Sequence, residues 1–205
     1  MAYVAIIDYG MGNLRSIYNK LKKLGTNCII TSQLNEIEAA EKIVLPGVGN
    51  FKAAMEKLNS LNLIEILNKK VLEDKVPILG ICLGVQLFCK HSEEGDAKGL
   101  GWIDAEVVRF RVRDQIKYKV PHMGWNDVKI INSNTLDKSI KSDDQFYFVH
   151  SYHLQCNNSQ DIWMTTNYDY EFVSAVHREN IYGTQFHPEK SHNTGFELLK
   201  RFADL

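Results

Sequence analysis

The chain has 205 residues, with 24 Lys and Arg against 25 Asp and Glu, for a formal net charge of −1 at pH 7. That balance gives no electrostatic case for nucleic acid or an anionic membrane surface, and no apolar run approaches the length needed to span a bilayer. Hydrophobic residues at 44% and charged residues at 24% are the proportions of an ordinary globular enzyme, and the length predicts one domain, 1–205, with a full core. The start, Met1-Ala2-Tyr3-Val4-Ala5-Ile6-Ile7-Asp8, has no basic stretch and reads as a buried strand, not a signal peptide. Cys28, Cys82, Cys89 and Cys156 are scattered without disulfide or metal spacing, so a reducing, cytoplasmic location is expected.

In chain order, Val4 to Ile7 reads as a strand and Leu14 to Leu24 as a helix, with Asn13 as its cap and Gly25 as its stop. Cys28 to Ile30 and Ile43 to Leu45 read as strands, the second ended by Pro46-Gly47. Phe51 to Leu58 and Leu63 to Leu72 read as helices. Pro77 to Ile81 is a fourth strand, followed by a helix that begins at Cys82. Such alternation predicts a mostly parallel sheet covered by helices on both faces, a three-layer α/β sandwich.

The second half changes character. Ala105 to Phe110, Lys117 to Val120, Asp127 to Ile131, Gln145 to His150, Ile162 to Thr166, Phe172 to Val176 and Ile181 to Gln185 are short strand-like runs joined by polar turns. Antiparallel additions to the sheet are expected there. Gly124-Trp125 reads as a turn, Cys156 as part of a polar loop, and Gly195 to Phe202 as a closing helix.

The chemistry concentrates in two places. In Pro77-Ile78-Leu79-Gly80-Ile81-Cys82-Leu83-Gly84-Val85-Gln86, Cys82 stands where a buried strand turns sharply into a helix. A nucleophile at such a turn is held out of the backbone, and small neighbours, here Gly80 and Gly84, make room for it. A helix start also favours thiolate over thiol. Gln185-Phe186-His187-Pro188-Glu189 follows an apolar run and supplies an imidazole and a carboxylate at a strand end, where α/β sheets build their sites. A lone Cys is commonly a small core residue and a His-x-Glu pair commonly a surface accident. Here the flanking glycines and the strand-end position favour a nucleophile, a base and an orienting acid, a set suited to acyl transfer.

Other motifs weigh less. Gly10-Met11-Gly12-Asn13-Leu14-Arg15 lacks the third glycine of a dinucleotide loop and reads as a tight turn. Pro46-Gly47-Val48-Gly49 has backbone free enough to aim N–H groups at an oxyanion. His150 and His153, three apart in a strand-like run, should face opposite sides, and no histidine spacing suits a metal. No metal or other cofactor is expected.

Gly80-Ile81-Cys82-Leu83-Gly84-Val85-Gln86 and His187-Pro188-Glu189 resemble the two signatures of class I (triad) glutamine amidotransferases. Ile7-Asp8-Tyr9-Gly10-Met11-Gly12-Asn13, Pro46-Gly47-Val48-Gly49, Pro121-His122-Met123-Gly124-Trp125-Asn126 and Tyr147-Phe148-Val149-His150-Ser151-Tyr152 narrow the resemblance to the glutaminase subunits of imidazole glycerol phosphate synthase. It runs in order from about residue 3 to the C-terminus. It implies a Cys82–His187–Glu189 triad acting on L-glutamine, and an oxyanion hole from Val48, Gly49 and the N–H of Leu83. It also implies glutamine contacts from Gly47, Gln86, Glu94, Ser151 and Tyr152. The implied partner is a HisF-type (β/α)₈ barrel cyclase subunit that uses the ammonia, with Asn13, Trp125, Tyr147 and Lys190 on the docking face. The stretches Gly99-Leu100-Gly101-Trp102-Ile103 and His192-Asn193-Thr194-Gly195 look more like paralogues that feed a sugar amidotransferase, which is the alternative acceptor. A catalytically silent regulatory module is a third reading, and the intact triad argues against it.

Overall fold

The computed structural model describes residues 2–138, 140–141 and 144–205. The first half builds β1 (Val4–Ile7), α1 (Leu14–Lys23), β2 (Cys28–Thr31), α2 (Leu34–Glu38), β3 (Lys42–Gly47), α3 (Phe51–Ser60), α4 (Leu63–Asn68), β4 (Ile78–Cys82) and α5 (Leu83–Leu87). After the short β5 (His91–Ser92) and β6 (Ala97–Lys98) come β7 (Ala105–Arg109), β8 (His122–Asp127), β9 (Lys129–Ile130), β10 (Gln145–His150) and β11 (Tyr152–Cys156). The chain ends with β12 (Ile162–Tyr168), β13 (Tyr170–Arg178), β14 (Ile181–Thr184) and α6 (His192–Ala203).

One sheet runs in the order β2-β1-β3-β4-β14-β13-β11-β7-β5-β6, with β12 and β9 continuing from β13. Strands β2, β1, β3, β4 and β14 are mutually parallel. From β13 onward the pairing is antiparallel, apart from β5 on β7. The apolar runs of β1, β3 and β4 are buried throughout because both faces are covered. Ala5 and Ile7 pack with Leu45, Phe51, Leu58 and Leu67 under α3 and α4, whereas Val4 and Ile6 pack with Ile17, Leu21, Leu198 and Phe202 under α1 and α6. Successive residues of β1 thus feed two cores, which makes three layers, as the alternation predicts.

A separate ribbon pairs β8 with β10. The chain leaves β10 at His150, bends at Ser151 and enters the main sheet as β11. That bend brings the ribbon over the carboxyl ends of β3, β4 and β14.

Several elements differ from the sequence expectation. Lys117 to Val120 is not a strand: the Asp114 carboxylate accepts from the N–H groups of Ile116 and Lys117 and winds the segment into turns. Gly124 and Trp125 lie inside β8, where Gly124 pairs with Phe148 and Trp125 with Tyr147. Helix α2 and strand β11 were not foreseen, and Cys156 is the last residue of that strand, half-buried. Pro46-Gly47 belongs to β3, and α4 loosens into a π turn over Lys69–Glu73. The Asn13 side chain makes no cap bond to α1, while Gly25 ends that helix at φ +76°.

Candidate active site

Strand β4 is buried from end to end, and at Cys82 the backbone turns to φ 55°, ψ −111°. Such a conformation costs a residue with a side chain on the order of 1–3 kcal/mol, and the surrounding packing holds it. Helix α5 starts at the next residue and lies hard against β3. A Cβ on Gly84 would stand 1.8 Å from the Leu45 carbonyl oxygen, and one on Gly80 would stand 2.6 Å from the Phe88 ring. The two glycines therefore make room for the helix against the sheet, not for the thiol as their spacing suggested. That close approach creates the elbow and leaves the N–H of Leu83, in the first turn, without an intrahelical partner.

His187 follows β14, the parallel neighbour of β4. Its backbone N–H donates to the Tyr147 carbonyl at 2.9 Å, and its own carbonyl accepts from Ser191 Oγ at 2.6 Å. Its ring Nδ1 lies 2.9 Å from Glu189 Oε1, both side chains being buried. His187 Nε2 and Glu189 Oε2 are buried with no hydrogen-bond partner within the geometric limits among the described residues, a state that costs about 1–3 kcal/mol per group. Burial by itself would drive the imidazole towards neutrality. The neighbouring Cys82 sulfur and Glu189 carboxylate outweigh it and raise the His187 pKa to about 10.

Cys82 and His187 open into a cavity of about 300 Å³. Of the residues singled out in the sequence, Val48, Gly49, Leu83, Gln86, Glu94, Ser151 and Tyr152 line it as well. Gly49 adopts φ +105°, with its Cβ position 2.9 Å from Met11 Cε, so that backbone suits glycine alone. Glu94 Oε2 accepts from the Phe51 N–H at 2.7 Å, which fixes the carboxylate to the start of α3. Gly47 does not line the cavity. It pairs with Cys82 across β3 and β4, and its Cβ position lies 2.6 Å from the Tyr9 hydroxyl. Glu189 stands behind His187.

Of the four residues expected on a docking face, three come together. Lys190 Nζ lies 5.5 Å from the Tyr147 ring centre, and Tyr147 lies 5.9 Å from Trp125, which stacks on His192 at 4.6 Å. Trp125 and Met123 are exposed on the outer face of β8. Asn13 occupies the N-cap position of α1.

The sequence reading assigned no role to Gln185 and placed Gln86 only at the substrate, yet both amides meet behind the thiol, next to a pair of histidines. Gln185 Nε2 donates to Cys82 Sγ at 3.7 Å, and Gln86 Nε2 donates to Gln185 Oε1 at 3.0 Å and to the Tyr152 carbonyl at 3.1 Å. Both N–H groups of Gln86 are engaged inward, so it offers the cavity an acceptor. The same carbonyl accepts from His150 Nδ1 at 2.7 Å, and His150 Nε2 lies 3.0 Å from His122 Nδ1. His150 and His153 do not face opposite sides: both rings pack on Phe110, at 5.2 and 4.6 Å, because the bend at Ser151 separates them into two strands. Among the described residues, no group of three or more His, Cys, Asp or Glu is placed to hold a metal ion. A larger groove of about 1000 Å³ beside α2 and α4, lined by Leu34, Glu38, Ile64 and Lys69 among others, contains no nucleophile paired with a base.

Comparison with known proteins agrees with this geometry. The sequence profile described as "Glutamine amidotransferase class-I" matches residues 5–204. The chain is 52% identical over 199 residues to imidazole glycerol phosphate synthase subunit HisH 2 of Methanococcus maripaludis, covering 97% of this chain and 98% of that one. It is 44% identical to a protein of the same name from Pseudomonas aeruginosa, covering 98% and 99%, and 43% identical to subunit HisH of Leptospira borgpetersenii, covering 98% and 100%. A crystal structure of a glutamine amidotransferase superposes with a TM-score of 0.76 at 16% identity, covering 98% of this chain and 99% of that one. The PurLQS structure from Thermotoga maritima gives 0.72 at 17%, covering 99% and 98%; these two likenesses speak to the fold. On the profile match and the near-complete coverage by its relatives, the chain belongs to the class I glutamine amidotransferase family.

Proposed function

We propose that this chain is the glutaminase subunit of an imidazole glycerol phosphate synthase, with Cys82 as nucleophile. The observation that carries the reading is the buried His187–Glu189 pair, 2.9 Å apart, beside a strained Cys82 on the floor of a 300 Å³ cavity. The Cys82 sulfur attacks the carboxamide carbon of glutamine and forms a C–S bond. The oxyanion is held by N–H groups of Leu83 and of the Val48–Gly49 segment. His187 passes the thiol proton to the departing nitrogen as the C–N bond breaks, and ammonia leaves. Water, deprotonated by the same imidazole, then cleaves the thioester and releases glutamate. Glu189 holds the imidazole in orientation. Glu94 offers a carboxylate to the substrate ammonium, Gln86 an acceptor, and Ser151 and Tyr152 backbone groups, while Gly47 supports the elbow from behind.

Ammonia released into water would be protonated and lose its nucleophilic lone pair, so a consumer must dock over the cavity. The relatives' names support a histidine-pathway cyclase in that role over a sugar amidotransferase. In this reading the docking partner is a HisF-type (β/α)₈ barrel that yields imidazole glycerol phosphate and AICAR. The exposed Trp125, with Tyr147, Lys190 and Asn13, forms the docking face, and both subunits work in the cytoplasm. The test is a glutaminase assay of the chain with and without a HisF-type barrel, on wild type and Cys82→Ser. The expected results are stimulation by the barrel, no turnover for Cys82→Ser, and labelling of Cys82 by a glutamine-analogue electrophile. Full activity of Cys82→Ser would remove Cys82 from the reaction, and stimulation by a sugar amidotransferase alone would replace the acceptor.

A further inference from the structure

We propose that Gln185 is a catalytic residue through contact with the reacting sulfur: its amide N–H donates to Cys82 and holds the thiolate, and Gln86 is the positioning residue that sets its orientation. The inference rests on the reading of Cys82 as nucleophile. Gln185 is fully buried, directly after β14, with Nε2 3.7 Å from Cys82 Sγ, a normal separation for a donor on sulfur.

An amide side chain has two chemically different ends, and the surroundings decide which one meets the sulfur. The assignment starts from the Tyr152 carbonyl, which can only accept. Gln86 must turn its NH₂ towards that oxygen, 3.1 Å away, and its second N–H then points at Gln185, 3.0 Å away. Gln185 must answer with Oε1, so its NH₂ is left facing the sulfur. The reverse orientation would set two NH₂ groups against each other and aim a carbonyl oxygen at a developing thiolate, both unfavourable in a buried site. The same carbonyl fixes His150: Nδ1 carries the proton that it donates at 2.7 Å, Nε2 is an acceptor, and His122 Nδ1 supplies the proton across 3.0 Å. A donor on the sulfur stabilises its charged form and restricts its direction of attack.

Gln185 does not line the cavity, so it acts on the sulfur and not on the substrate. The titratable groups around Cys82 are His187, beyond β14, Tyr9, after β1, whose hydroxyl donates to the Pro46 carbonyl at 2.8 Å, and Glu94 and His150, which line the same cavity. All four remain in a Gln185 variant.

The experiment is the pH dependence of Cys82 alkylation by iodoacetamide, read by peptide mass spectrometry, together with steady-state glutaminase kinetics of the chain with its barrel. Gln185→Met keeps the length and removes the donor; Gln185→Glu keeps the acceptor for Gln86 and replaces the donor with an oxygen. In both, the alkylation midpoint should rise by about one pH unit, which slows alkylation up to about tenfold at a pH below the wild-type midpoint. The kcat should fall by about tenfold or more, with KM within about twofold of wild type. An unchanged midpoint in either folded variant overturns the assignment, as does a change confined to KM. Should Cys82→Ser retain glutaminase activity, the functional reading fails, yet the alkylation midpoint still reports whether Gln185 holds the sulfur.

Discussion

Two buried imidazole sites lie a few side chains apart, and their surroundings drive them in opposite directions. His187 faces a carboxylate at 2.9 Å and the Cys82 sulfur, and its pKa is raised to about 10. The group formed by His122, His150 and His153 around Phe110 meets a carbonyl, a tyrosine hydroxyl and another imidazole. Burial therefore lowers all three, His122 to about 4. Burial is common to both sites, so depth does not decide the protonation state. The charge of the nearest partner does: anionic neighbours outweigh desolvation at His187, whereas at His150 desolvation prevails over the one opposing contact, the bond to the neutral Tyr152 carbonyl. The first site holds a proton at neutral pH. The second acts as a fixed hydrogen-bond scaffold behind the thiol.

The strongest way to break this contrast is to make His187 resemble His150. In Glu189→Gln the ring keeps a neighbour of similar shape and loses the negative charge, so its pKa should drop. The kcat with the barrel should fall by about a hundredfold or more, and the acid limb of the pH–rate profile should move accordingly. Wild-type kcat and an unmoved profile would show that the carboxylate only packs.

The next effect is on stability. A folded-state pKa below the unfolded value near 6.5 means that unfolding takes up a proton, so the stability from burying His122, His150 and His153 neutral is full above that pH. It is lost as pH falls towards about 4 for His122, with a slope of roughly 1.4 kcal/mol per pH unit for each such imidazole. His187 has the opposite sign: its contribution is fully present below about 6.5 and is lost as pH rises through about 10. Urea unfolding at pH 7 and pH 5 should show a marked loss at the lower pH, and His122→Leu should flatten it. An equally steep loss in that variant would show that His122 is not a source of the acid sensitivity.

A smaller change sharpens the contrast from the substrate side. Glu94 is a carboxylate of the same cavity, anchored on the Phe51 N–H, and it does not partner either imidazole site. Glu94→Gln should raise the KM for glutamine about tenfold, in line with the loss of one charge-assisted hydrogen bond, and should leave the pH dependence of Cys82 alkylation in place. A shift in that dependence would mean that Glu94 belongs to the field around the thiol. The smallest expected effect is Tyr170→Phe, which removes the 3.0 Å hydroxyl partner of His153. It should cost about 1 kcal/mol in urea unfolding with kcat and KM unchanged, since Tyr170 lies outside the cavity.

The two halves of the chain were legible to different degrees. In the first half most elements are bounded by local signals, such as an apolar run buried on both faces or Gly25 ending α1; β1, β2, β3 and β4 fall on the expected apolar runs, with the short α2 the exception. In the second half pairing depends on partners far along the chain. Lys117 to Val120 has the composition of a strand, yet Asp114 captures its N–H groups, and Gly124-Trp125 has the look of a turn, yet it pairs in register with β10.

Local sequence determined the parallel αβ frame, the elbow at Cys82 and the His187–Glu189 pair, because hydrophobic periodicity, tight-turn glycines and short spacings act over a few residues. Tertiary structure alone decided which residues surround the sulfur. Gln86 and Gln185 are 99 positions apart, and His122 and His150 are 28 apart. The direction of each hydrogen bond follows from one carbonyl, that of Tyr152, and that carbonyl reaches the site only because the chain bends at Ser151 from the ribbon into the sheet. No short-range pattern encodes that bend, since its energy comes from packing β10 against β8 and β11 against β7 and β13 once all are folded.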